Sequence, residues 1–123
     1  MTRPVLAQSH IHSAIEDQIN NFQHEIIAEV QSAIQVHRVV VIGMTQNPVV
    51  KTVKQCLEKA GVAYVYLEYG SYFSQWRRRL ALKMWTGWPT FPMVFLDGKL
   101  LGGAQDVKAL LASGELKAML ASK

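Results

Sequence analysis

A chain of 123 residues, half of them hydrophobic and 18% charged, is long enough to bury a core of its own and fits one folded unit. Its net charge of +4 is mild, and no basic stripe interleaved with aromatics accompanies it, which argues against nucleic-acid binding. No apolar run approaches the ~18 residues of a membrane span, no signal-peptide pattern opens the chain, and a single cysteine, Cys56, excludes an internal disulfide or a multi-thiolate metal cage; the expectation is a cytoplasmic protein with no membrane partner.

Apolar residues at Ile11, Ile15, Ile19, Phe22, Ile26, Val30 and Ile34 are separated by steps of three or four, which predicts one long helix from about Ser13 to Val36. At the rise of an α-helix its 24 residues would span ~36 Å, so part of it is expected to overhang or to pack on a second copy. Of the four histidines, His10, His12, His24 and His37, the first two precede the helix at a spacing that stacks neither on the other. With no carboxylate or thiol beside them, no metal site is expected.

Arg38 to Gly43 is a continuous β-branched run and reads as a central strand covered on both faces. Asn47-Pro48 is a helix start, with Asn as N-cap and Pro at the first helical position, and the helix runs to about Ala60 before Gly61. Its inward face is read as Val49, Val50, Val53, Cys56, Leu57 and Ala60, which makes Cys56 a buried structural thiol.

Val62 to Leu67 reads as a second buried strand, parallel to the first through a right-handed crossover. A helix from about Ser71 to Trp85 follows, with Phe73, Trp76, Leu80 and Met84 at helical spacing as its core face. Arg77-Arg78-Arg79 on it is a solvated face, or a weak preference for anions.

Trp88 to Gly103 then gives two prolines around Thr90-Phe91, an apolar run, an Asp97-Gly98 turn signal, a second short run and a Gly pair: an edge hairpin, or something more specific. Helices from Gln105 to Ala112 and from Glu115 to Leu120, separated by Ser113-Gly114, complete the order helix, βαβ, helix, ββ, helix.

From Val39 to Leu120 these motifs, T-G-x-x-T-x-P, D-G-K, G-G and S-G-E-L, resemble the glutaredoxins, and W-P-T-x-P resembles their monothiol branch. The resemblance implies an α/β thioredoxin fold, a four-stranded mixed sheet flanked by helices, with an extra N-terminal helix. Residues 1–37 would be a helical extension and 38–123 the glutaredoxin-like domain.

The resemblance also implies a cis peptide before Pro92 and a groove for glutathione or another thiol substrate. Phe91 would pair through its backbone, Arg79 would meet the glycine carboxylate, Gly103 would open a helix toward the γ-glutamyl carboxylate, and Asp106, preceded by Gln105, would meet its ammonium.

Where dithiol members carry C-P-Y-C this chain has Asn47-Pro48-Val49-Val50, and where they usually carry a lysine it has Met44. An amide cannot attack a disulfide or ligate an iron–sulfur cluster, so no catalytic residue, metal or required cofactor is expected. Three functions follow: a non-catalytic module binding glutathione, a peptide or a protein; an interaction protein, including a homodimer, using the N-terminal helix; or a glutathione-dependent oxidoreductase using Cys56.

Overall fold

The computed structural model describes residues 2–71 and 73–122. Its sheet has the order β2-β1-β3-β4, with β1 (Val39–Gly43) parallel to β2 (Val65–Glu68) and antiparallel to β3 (Met93–Leu96), which pairs with β4 (Lys99–Gly102) as a hairpin. Asp97 and Gly98 both have positive φ, 50° and 80°, the conformation a two-residue hairpin turn needs.

β1 is buried along its whole length, and the period of two sorts its side chains into two cores. Val40 and Ile42 meet Ile26 and Val30 of α2 (His24–Val36) and Leu82 of α4 (Trp76–Thr86). Val39 and Val41 meet Val53 and Leu57 of α3 (Pro48–Lys59), Val107 of α5 (Ala104–Ser113) and Leu116 of α6 (Glu115–Ala121). This is the four-stranded mixed sheet flanked by helices that the sequence implied. β2, read as a buried strand from Val62, instead starts at Val65 and is half-buried, because it is an edge strand.

The predicted single N-terminal helix is two helices. α1 (Ser13–Asn21) ends at Phe22, and Gln23 turns the chain with φ 50°, ψ 36° before α2 begins. The apolar steps run unbroken across this turn, so periodicity alone could not mark it. The stripe divides there: Ile26 and Val30 join the core, while Ile15 and Ile19 stay exposed.

α4 is also shorter and differently turned than predicted. It starts after Gln75, which has φ 55°, and ends at Gly87 with φ 77°. Its buried residues are Arg79, Ala81 and Leu82, whereas Phe73, Trp76, Leu80 and Met84, read as the core face, are all exposed. The side of α4 facing α2 and the sheet is the opposite one.

On α3, Val50, Val53 and Leu57 point inward as read, but Val49 is exposed and Cys56 is half-buried. Val49 and Cys56 share a flank of the helix about 100° from Val50. Arg38 fastens the lower end of the sheet: its Nε and Nη2 donate to Asp97 Oδ1 and Oδ2, both at 3.0 Å, and its Nη1 donates to the Leu120 carbonyl at 2.8 Å. That forked geometry is the strongest an arginine and a carboxylate can adopt.

Candidate functional site

Three segments meet at one end of the sheet because of its register. Ile42 pairs with Met93 in the antiparallel β1–β3 ladder, so the residue after Ile42, Gly43, and the residue before Met93, Pro92, leave the sheet side by side. Gly43 leads through Met44 to Asn47 at the start of α3. On the other side of β3, β4 ends in Gly102-Gly103, where α5 begins.

Asn47 caps α3 as its sequence predicted: its Oδ1 accepts from the Val49 amide at 2.9 Å and the Val50 amide at 3.2 Å, satisfying two of the donors a helix start leaves open. The first turn sits hard on the strand, since a Cβ on Gly43 would lie 2.8 Å from Val50 Cγ2. Asn47 also lines a groove of about 500 Å³ with Met44, Gln46, Lys51, Lys54 and Tyr66. Lys54 Nζ lies 4.3 Å above the Tyr66 ring. Burial, then the bond and charge of Glu68, push the Tyr66 phenol above its usual range.

The Phe91-Pro92 peptide bond is cis. Pro92 and the Phe91 side chain are buried, the latter in the core with Val30 and Met93, and Lys83 Nζ is 5.8 Å from its ring. Phe91 lies outside the strands, and among the described residues neither its N–H nor its C=O is hydrogen-bonded.

Gly103 is packed into this corner. A Cβ there would be 3.5 Å from the Pro92 carbonyl oxygen and 3.7 Å from Trp88 Nε1. Trp88 Nε1 is buried with no hydrogen-bond partner, an uncommon state for a buried donor. The Gly103 amide donates to Asp106 Oδ2 at 3.0 Å, and Gln105 is exposed.

The structure therefore brings Pro92, Gly103 and Asp106 together, adds the Trp88 N–H that sequence reasoning passed over, and sets Arg79 apart. Arg79 is only 7% exposed, and its Nη1 donates to the carbonyls of Tyr69 at 2.8 Å and Ser74 at 2.6 Å. It braces the loop before α4 rather than standing at the surface as a carboxylate anchor. The signal for Trp88 was its place in the W-P-T-x-P run, where it reads as one more packed aromatic.

Cys56 borders a different groove, between α3 and α5, with Lys59, Lys108 and Leu111. Among the described residues no group of three or more His, Cys, Asp or Glu is placed to hold a metal, and no helix is long and apolar enough to cross a membrane.

The strand order, the crossover through α3 and a cis proline opening β3 beside the start of that helix define a thioredoxin-fold domain. The family model described as Glutaredoxin matches residues 39–101, and the chain belongs to the glutaredoxin family. It is 50% identical over 102 residues to a glutaredoxin-like protein of Dictyostelium discoideum, covering 83% of each chain. It is 33% identical over 66 residues to a probable monothiol glutaredoxin of Legionella pneumophila, covering 54% of this chain and 71% of that one.

Among solved structures, a buckwheat glutaredoxin–glutathione complex superposes with TM-score 0.74 at 26% identity, covering 83% of this chain and 93% of that one. Oxidised glutaredoxin 2 of Chlamydomonas reinhardtii gives 0.71 at 30% identity, covering 81% and 94%.

Proposed function

We propose that this glutaredoxin-family chain is a non-catalytic binding module for glutathione or a cysteine-containing peptide or protein in the cytoplasm. The observation that carries the reading is the unpaired backbone of Phe91 beside Pro92. An extended ligand adds to such an edge as one more strand, its main chain satisfying the free N–H and C=O. The first-turn amides of α5, beside Pro92, favour an anion through the positive end of the helix dipole.

The absence of chemistry follows from the donor set. Thiol–disulfide exchange needs a thiolate, and an iron–sulfur cluster needs thiolate ligands. At the start of α3 stands Asn47, whose amide oxygen already holds both helix amides. The residues here do not fit a cluster, and no step is routed through one. Cys56 does not stand in for the missing thiol, because its groove is lined by none of the residues around Pro92.

Calorimetric titration with reduced and with oxidised glutathione tests the binding role, with saturable heat at one site per chain expected and an absence of heat counting against it. A mixed-disulfide reduction assay tests the rest: turnover matching a working glutaredoxin would end the non-catalytic reading.

A further inference from the structure

Two helices present apolar side chains that the fold leaves uncovered. Ile15 and Ile19 of α1 are each 44% exposed, and α1 buries none of its residues. On α4, Trp76, Leu80 and Met84 recur at every fourth residue and are 55%, 39% and 54% exposed. At about 100° per residue they form one row, flanked on its two sides by Arg77 and Lys83. Ile19 and Met84 line a single groove of about 470 Å³, so the two rows meet there at one end of each. Exposed apolar rows of this kind mark interaction sites.

The two halves of that surface have opposite charge. α1 carries Glu16 on the flank of its Ile15–Ile19 row and no lysine or arginine, whereas α4 carries exposed Arg77 beside its row, with Lys83 half-buried near the Phe91 ring, and no acid. None of these groups is in an ion pair; among the described residues the ion pair is Arg38 with Asp97.

We propose that a second copy of this chain covers the surface, the α1 helix of each protomer lying along the α4 row of the other about a two-fold axis through the groove. A two-fold interface needs a patch that is complementary to itself. This patch is, because an acidic apolar half and a basic apolar half exchange partners under the rotation. An anionic membrane would suit α4 but would be repelled by Glu16, and an acidic helix from another protein would leave α1 bare. The charge distribution therefore selects the second copy.

Sedimentation velocity of the full chain over a series of micromolar concentrations should show a species of twice 13.8 kDa. The variant Glu16→Lys and the variant Arg77→Glu should each keep the wild-type circular dichroism and raise the dimer dissociation constant about tenfold, since like charges then face each other. Mixing the two variants should restore the dimer, because the new lysine of one meets the new glutamate of the other.

Hydrogen exchange of the wild type needs no variant, and the amides of α1 and α4 should be better protected at high than at low concentration. A chain that is monomeric throughout, a dimer indifferent to both swaps, or a failure to recover on mixing would each overturn the proposal. Binding of the monomer to phosphatidylserine vesicles would overturn it in favour of a membrane. Glutathione titration reads the Phe91-Pro92 backbone, which neither variant alters, so the two proposals stand or fall separately.

Discussion

Gly103 donates its amide to Asp106 Oδ2 at 3.0 Å, and a Cβ at the neighbouring Gly102, whose φ is +117°, would lie 2.5 Å from that same oxygen. The carboxylate that the sequence offers to a ligand's ammonium is thus also the clasp that closes the start of α5. Asp106→Ala should lower stability by about 1 kcal/mol through the lost cap, and Asp106→Asn, which keeps an acceptor, by less. Gly102→Ala should cost about 1–3 kcal/mol, from a strained backbone and a displaced clasp. Urea unfolding midpoints decide, and an Asp106→Ala chain as stable as wild type would remove the clasp from the account.

Trp88 gives a prediction with the opposite sign for stability. Its buried indole N–H has no partner, so it was desolvated on folding without compensation, which costs about 1–3 kcal/mol. Trp88→Phe removes the donor but keeps an aromatic ring, and the packing loss is offset by the relieved N–H. The melting temperature should change little or rise. A large drop in melting temperature would show that the packing of the indole outweighs the relief of its unpaired donor.

The fold was legible because its signals are local. A β-branched run, Asn47-Pro48, Asp97-Gly98 and Gly102-Gly103 each specify one element or turn, and the sheet follows from their order. What misled the reading was orientation. Trp76, Leu80 and Met84 form as good an apolar row as any core face, and nothing within α4 says that Leu82, Ala81 and the stem of Arg79 face the core instead. The side chosen depends on Val30, Tyr69 and Phe91, which come from elsewhere in the chain. Gln23 hid the break between α1 and α2 for a similar reason, since it carries no glycine or proline signal. Arg79 was misplaced because its partners are backbone carbonyls, which leave no trace in a sequence.

Three tyrosines should make the protein sensitive to alkali. Tyr64 donates to Glu58 at 2.6 Å, Tyr66 to Glu68 at 3.0 Å and Tyr69 to Glu29 at 2.7 Å. Burial first, then the acceptor carboxylate, raises all three phenols, Tyr64 to about 12. In the unfolded chain a tyrosine loses its proton near pH ~10, so above that pH the folded state holds more protons and stability falls as pH rises toward the folded values. Below pH ~10 both states are protonated and this contribution is fully present. The urea midpoint should therefore drop between about pH 10 and about pH 12, and drop less in Tyr64→Phe. Equal drops in the two proteins would show that Tyr64 does not carry the effect.

Asn47→Cys tests whether the start of α3 activates a thiol placed there. The amides of Val49 and Val50 now point at Asn47 Oδ1; with a cysteine in its place they would point at the sulfur, and with the helix dipole they would favour the thiolate. Mixed-disulfide reduction should appear in the variant. It should stay below that of a complete glutaredoxin, because Met44, 6% exposed and uncharged, stands where the family usually has a lysine. Replacing Met44 as well, in Met44→Lys/Asn47→Cys, should raise the activity further by supplying a cation to the anionic substrate. The new thiol of Asn47→Cys should react with iodoacetamide faster than Cys56 of the wild type. If the new cysteine alkylates no faster than Cys56 and no reduction is seen, the start of α3 does not activate a thiol.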